Sequence, residues 1–271
     1  MSTSSIAFIG GGNMASALIG GLVQAGQSPQ SLIVVEPSEA QRERLAQQFG
    51  VRADAEATPR LAEARLVVWA VKPQSFREAA PPCAAHVQRA LQLSVMAGIR
   101  CDAIVAATGS QRVVRSMPNT PALIGLGVAG LYARPQVSDE ERRDVERVFA
   151  PTGRTVWVRD EADLDAVTAL SGSGPAYVFY FIEAMIEAAQ EMGLDAQQAR
   201  ELTLGTFAGA TELARRSPEP PQVLRERVTS KGGTTYAALT SMEQDGLKAA
   251  FVRAIQAAQR RAKELGDEFG R

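Results

Sequence analysis

Ser5-Ile-Ala-Phe-Ile-Gly-Gly-Gly-Asn-Met-Ala-Ser-Ala-Leu-Ile-Gly-Gly21 is the stretch on which the reading of the whole chain turns. Residues 6–9 form a short apolar run that stops at a glycine, the pattern of a strand buried on both faces of a parallel sheet. Gly10, Gly12 and Ala15 then spell G-x-G-x-x-A, and Leu18, Ile19, Leu22 and Val23 continue at helical spacing. Each small residue has its own task. Gly10 permits the tight turn out of the strand, Gly12 lets backbone approach a pyrophosphate, and Ala15 lets the helix lie close to the strand. The helix start offers unpaired N–H groups and the positive end of its dipole to phosphate oxygens. A second apolar run, Leu32-Ile-Val-Val-Glu36, ends in an acid 21 residues beyond Ala15 (36 − 15), close to the offset of a ribose-binding carboxylate.

The rest of the chain must supply a setting for that loop. Its 271 residues suffice for one large or two medium domains, and 45% hydrophobic with 22% charged residues is ordinary for a globular protein. A net charge of −1 points to no nucleic-acid partner, and no apolar run is long enough to span a bilayer. The opening Met1-Ser-Thr-Ser-Ser5 runs straight into a strand and does not read as a signal peptide, so a cytoplasmic protein is expected. Cys83 and Cys101 lack metal-ligand spacing and are too few for a disulfide framework. His86, the only histidine, sits in Pro81-Pro-Cys-Ala-Ala-His86, a segment without an apolar stripe, and reads as an exposed structural residue. No metal site is expected, and no Ser/His/Asp set can form without His86.

Taken in order, strands are expected at 32–36, 66–71, 91–95, 112–117, 127–132 and 155–158, after the first at 6–9. Helical segments lie between them, such as 38–49, with Ser38 as N-cap and Gly50 just past the end, and 139–149. Strands alternating with helices predict an α/β, Rossmann-type doubly wound sheet, mostly parallel. Near residue 160 strand-like runs cease, so 1–160 reads as a dinucleotide-binding domain and 161–271 as an all-α helical domain. Helices are expected over 176–192, 196–215 and 235–266, with Ser217-Pro-Glu-Pro-Pro221 as a break. The segment 176–192 is apolar almost all round, and the helices after it look too thin to cover it. A subunit interface is therefore expected there.

In an open α/β sheet, ligands bind at the carboxyl ends of the strands. Three loops fall there: Gly10 to Ala15, Ala70-Val-Lys-Pro-Gln74 and Met117-Pro-Asn-Thr-Pro121, the last two stiffened by proline. In the helical half, Ser171-Gly-Ser-Gly-Pro-Ala176 opens the apolar helix, where Ser173 can cap and Pro175 suits the first turn. Thr229-Ser-Lys-Gly-Gly-Thr-Thr235 places two glycines and four hydroxyls at another helix start, which suits a carboxylate cradle. With no metal cluster or catalytic histidine to hand, these loops point to hydride transfer, the cofactor carrying the hard chemistry.

At these residues the chain resembles the pyrroline-5-carboxylate reductase family over its whole length. Phe8-Ile-Gly-Gly-Gly-Asn-Met14, Ala70-Val-Lys-Pro-Gln74, Arg115-Ser-Met-Pro-Asn-Thr-Pro121, Ser171-Gly-Ser-Gly-Pro-Ala-Tyr177 and Thr229-Ser-Lys-Gly-Gly-Thr-Thr235 stand in family order and spacing. The resemblance implies reduction of 1-pyrroline-5-carboxylate to L-proline by NAD(P)H, the final step of proline synthesis. It implies a dimer swapped through the helical domain, often assembled into a decamer. By the same analogy Ser230 and the amides of Gly232, Gly233 and Thr234 hold the substrate carboxylate, and Thr235 hydrogen-bonds the imine nitrogen as the catalytic residue. Asn13, Met14, Ala70, Lys72, Pro73 and Asn119 line the cofactor, with Gly10, Gly12, Glu36 and Ser38. NADPH is the cofactor most bacterial members favour, but Glu36 stands where a 2′-phosphate would sit, so NADH is the alternative. A carboxylate ~6 Å from that phosphate costs roughly 1–3 kcal/mol. Ser38, Arg42 and Arg44 could offset this if Glu36 turns outward.

Two other readings compete. A β-hydroxyacid dehydrogenase needs a lysine acid on the helix after its glycine-rich crossover. Lysine occurs only at 72, 231, 248 and 263, so residues 171–192 have none. A non-catalytic NAD(P)-sensing protein would keep Gly10 to Ala15 but have no use for Thr229 to Thr235.

Overall fold

The computed structural model describes residues 5–269, so four of the five opening residues read as no signal peptide lie outside the described residues. Its strands are β1 (Ser5–Ile9), β2 (Leu32–Val35), β3 (Ala53–Asp54), β4 (Ala64–Trp69), β5 (Leu91–Ser94), β6 (Val113–Met117), β7 (Gly127–Ala133) and β8 (Gly153–Trp157). They form one sheet in the order β3-β2-β1-β4-β5-β6-β7-β8, parallel except where β7 meets β6. Residues 118–126 explain the exception. They hold only a tight 3-10 turn, and a parallel return needs a crossover of about a dozen residues or more. β8 is again parallel to β7, after a crossover that contains a helix over 139–149.

Helices α1 (Asn13–Gln24), α2 (Glu39–Phe49), α3 (Phe76–Val87), α4 (Cys101–Thr108) and α5 (Asp139–Phe149) flank the sheet. Alternation along β1 sends Phe8 into one core with Leu18, Val34, Leu93 and Val148. It sends Ala7 and Ile9 into the other with Val67, Trp69, Phe76 and Ile104. All four residues of β2 are buried, as a strand covered on both faces requires.

Helices α6 (Asp163–Val167), α7 (Gly174–Glu191), α8 (Ala196–Arg216), α9 (Pro221–Arg227), α10 (Thr234–Gln244) and α11 (Leu247–Phe269) complete the chain. Between α6 and α7 lies one wide π turn, in which the Ser173 N–H donates to the Thr168 carbonyl at 2.8 Å. The chain divides into two compact units, one ending at Ser173 and resuming at Ala257, the other Gly174–Gln256. In the first, Arg100 donates to Asp267 at 2.6 Å and to the Gly266 carbonyl at 3.2 Å, fastening the end of α11. In the second, α7 packs on α8, and Phe251 meets Tyr177 and Phe181 edge-on at 5.9 and 5.3 Å. Only Ala189, Ala199 and Thr203 of that second unit are buried. Phe179 and Tyr180 of α7 are 58% and 69% exposed. The chain does not cover its own most apolar helix.

Four expectations need correction. β3 was unforeseen because Ala53-Asp54 has no strand propensity and is a strand only by pairing with Val34 and Val35. Residues 81–86 do carry an apolar stripe. Phe76, Ala80, Cys83 and Val87 of α3 are buried, Pro81 and Pro82 lie inside the helix with their rings exposed, and His86 is half-buried. The helix expected over 235–266 is two, α10 and α11, parted where Gly246 takes a left-handed φ of +65°. Ser38 is the N-cap of α2 by backbone conformation alone, since its hydroxyl makes no capping bond.

Candidate active site

The first loop is shaped by two close approaches. Gly10 has φ +96°, and a Cβ there would lie 2.7 Å from the Ala70 carbonyl oxygen, so no side chain fits. Its N–H donates to the Val35 carbonyl at 2.8 Å, while the Ala70 N–H donates to the Ile9 carbonyl at 2.8 Å. The carboxyl ends of β1, β2 and β4 are thereby drawn together. Gly12 is different. It is exposed, and a Cβ there would meet nothing within 4 Å. Nothing inside the protein requires glycine at 12, which fits a position kept clear for an approaching ligand. Gly12 is also the N-cap of α1 with no side-chain cap, so the first amides of that helix face outward unused. Asn13 is exposed and Met14 half-buried beside them. Ala15 is fully buried against the strand.

Glu36 is turned into this loop, contrary to the outward rotation that a bound 2′-phosphate would need. Its Oε2 accepts from the Gly11 N–H at 2.7 Å and its Oε1 from the Ser38 N–H at 2.8 Å. The carboxylate thus holds the N–H of the N-cap residue Ser38 itself, while α2 has no side-chain cap. Arg42 donates to the carbonyls of Glu36 at 3.0 Å and Pro37 at 2.7 Å, and Arg44 is exposed. Gln41 was missed in the sequence. Its amide donates to the Gly11 carbonyl at 2.5 Å and the Ser16 hydroxyl at 3.2 Å. The available signal was the Ser38-x-x-Gln41 spacing of a capping box, which here reaches the glycine loop instead of its own helix.

Lys72 is exposed and begins the turn that Pro73 stiffens, after the end of β4. Asn119 follows β6 at the same sheet edge, but its amide is engaged within the protein. Its nitrogen donates to the Ser171 carbonyl at 3.1 Å, and its oxygen accepts from the Val128 N–H at 2.9 Å. Asn119 thus first holds the proline loop, β7 and the Ser171 turn together. Beneath this edge, buried Arg115 pairs with Glu161 at 2.7 Å, and the same oxygen accepts from the Cys101 N–H at 2.7 Å.

The second loop lies in the other compact unit. Gly232 takes a left-handed φ of +74° with open space about its Cα, and Gly233 is the N-cap of α10 with no side-chain cap. The Gly233 N–H is already donated to the Ser230 carbonyl at 3.0 Å, so in this conformation it is not available to a carboxylate. The α10 ladder starts with Ala237 donating to Gly233 at 3.1 Å, which leaves the amides of Thr234 and Thr235 without a backbone acceptor among the described residues. Ser230 and Thr234 are exposed and Thr235 half-buried.

The strand order, the glycine turn and the open start of α1 define a Rossmann-type dinucleotide-binding protein with a helical second unit. Residues 161–265 match the family model described as pyrroline-5-carboxylate reductase dimerisation, and residues 5–98 match that described as NADP oxidoreductase, coenzyme F420-dependent. A pyrroline-5-carboxylate reductase of Pseudomonas aeruginosa is 42% identical over 272 aligned residues, covering 100% of each chain. The solved structure of one from Coxiella burnetii has a TM-score of 0.89 at 35% identity, covering 97% of this chain and 99% of that one. A pyrroline carboxylate reductase of Plasmodium falciparum with NADP bound has a TM-score of 0.86 at 28% identity, covering 98% and 99%. The chain belongs to the pyrroline-5-carboxylate reductase family. Matches over the full length argue against the β-hydroxyacid dehydrogenase and sensor readings.

Proposed function

We propose that this chain reduces 1-pyrroline-5-carboxylate to L-proline, the last step of proline synthesis, with NAD(P)H as reductant. The observation that carries this reading is the full-length match to reductases of that name, joined to two separate open helix starts, α1 and α10. Gly10, Gly12, Asn13, Met14, Ala70, Lys72 and Pro73 would hold the cofactor, with Glu36, Ser38 and Asn119. The clear space at Gly12 and the uncapped start of α1 fit a pyrophosphate. When bound, the nicotinamide supplies a hydride to C5 of the imine. The NADP-bound relative speaks for NADPH and Glu36 for NADH.

Ser230 and the amides of Gly232 and Thr234 would bind the substrate carboxylate, with Gly233 joining only if it releases Ser230. The Thr235 hydroxyl would accept from the N–H of the protonated imine and fix the ring face presented. A protonated imine is already a strong hydride acceptor, so orientation is the main task of these side chains. Good orientation can be worth up to roughly 7–11 kcal/mol of barrier. Functionally, residues 1–160 would bind dinucleotide and 161–271 would bind substrate and dimerise, a division that the dimerisation match over 161–265 supports. The exposed apolar face of α7 favours a homodimer through the helical unit, with assembly to a decamer as the larger expectation. Among the described residues no helix is long and apolar enough to cross a membrane, and a cytoplasmic location is part of this proposal. Oxidation of NADH or NADPH on adding pyrroline-5-carboxylate to the purified chain tests the reading. No turnover with either would refute it.

A further inference from the structure

We propose that Glu36 makes this chain prefer NADH over NADPH. The inference rests on the reading of residues 10–15 as a nicotinamide-dinucleotide site. Glu36 follows β2 directly, and its own N–H donates to the Asp54 carbonyl at 2.9 Å, so its backbone is held by β3. Its side chain is held as well, one oxygen by the Gly11 N–H at 2.7 Å and the other by the Ser38 N–H at 2.8 Å. Gly11 is held in turn, because Gln41 donates to its carbonyl at 2.5 Å.

A carboxylate has about four acceptor sites. Two are used, and both are used by donors that keep the group in the loop. What remains on each oxygen is acceptor capacity. An adenosine ribose with free 2′- and 3′-hydroxyls brings donors to match it. A 2′-phosphate brings acceptors only, together with like charge. Admitting the phosphate would require Glu36 to abandon both backbone N–H groups. Arg42 works the other way, because its positive charge lies on the same segment, but one of its nitrogens already serves the carbonyls of Glu36 and Pro37.

The test is direct binding of NADH and NADPH to the full-length protein without substrate, by calorimetry or by fluorescence of the nicotinamide. The wild type is expected to bind NADH at least about tenfold more tightly, the equivalent of 1.4 kcal/mol. Glu36→Gln and Glu36→Ser are expected to bring the two affinities together by tightening NADPH and weakening NADH. Equal or tighter binding of NADPH by the wild type, or a ratio unmoved in both variants, overturns the inference. Pyrroline-5-carboxylate reduction measured alongside separates the two proposals. Turnover with tighter NADPH binding defeats the role of Glu36 and spares the function. Tighter NADH binding without turnover by either nucleotide does the reverse.

Discussion

Thr235 shows how much weight one hydroxyl is asked to bear. It stands in the first turn of α10, half-buried, beside amides that the helix itself leaves unused. A hydrogen bond to a charged partner contributes about 1.5–3 kcal/mol, so Thr235→Ala should lower kcat roughly 10- to 100-fold, with KM changing less. Thr235→Ser should recover most of the loss. Steady-state kinetics of both variants checks this, and an unchanged kcat in Thr235→Ala would sink the assignment. Cys83 makes a different point at the same scale. Burial pushes its thiol up to about 11, against 9.0 when unperturbed. Burial and the neighbouring Glu161 also push Cys101 up. The folded state therefore resists ionising these thiols while the unfolded chain does not. For Cys83 that contribution is complete below about pH 9 and is lost as pH rises toward about pH 11, up to about 2–3 kcal/mol. Denaturant titrations across that window should show a steeper loss of stability in the wild type than in Cys83→Ala. Equal slopes would refute it.

Among the elements, the sharpest energetic demand falls where β6 meets the start of α4. Arg115 on β6 is 9% exposed and Glu161 27%, and Glu161 also accepts from the first amide of α4. Removing one partner of a fully buried pair costs roughly 3–5 kcal/mol; the partial exposure of Glu161 reduces this to about 2–3. Glu161→Ala should lower the free energy of unfolding by that amount in chemical denaturation, while breaking the exposed pair Arg261 with Glu268 should leave it nearly unchanged. Most elements could be read from local pattern. Buried runs such as 66–71 and 91–95 announce themselves by apolar residues between breakers, and they become β4 and β5. β3 could not, because two residues without propensity become a strand only when β2 is already there to pair with. The apolar stripe of α3 was hidden by Pro81 and Pro82, which read locally as breakers yet lie inside the helix with their rings exposed.

For the molecule as a whole, the second compact unit is the open question that chemistry closes. Gly174–Gln256 buries only Ala189, Ala199 and Thr203, yet carries Val178, Phe179, Tyr180, Leu202 and Met242 on its surface. A helical unit with so little core of its own gains its apolar burial from another chain. Light scattering should find a dimer or a multiple of one, and Phe179→Glu should shift it toward monomer and lower its melting temperature. A monomeric wild type at micromolar concentration would contradict this.

The chain's own letters were enough to settle the alternation of strand and helix, the turn at Gly10 and the change of architecture near residue 160. Those features rest on period, chirality and the missing Cβ, which act between neighbours in sequence. Where the carboxylate of Glu36 points, what engages Asn119 and that Gly233 has given its N–H to Ser230 were decided only in three dimensions. Each depends on which donor or apolar surface arrives from elsewhere in the chain, and no local pattern records who arrives.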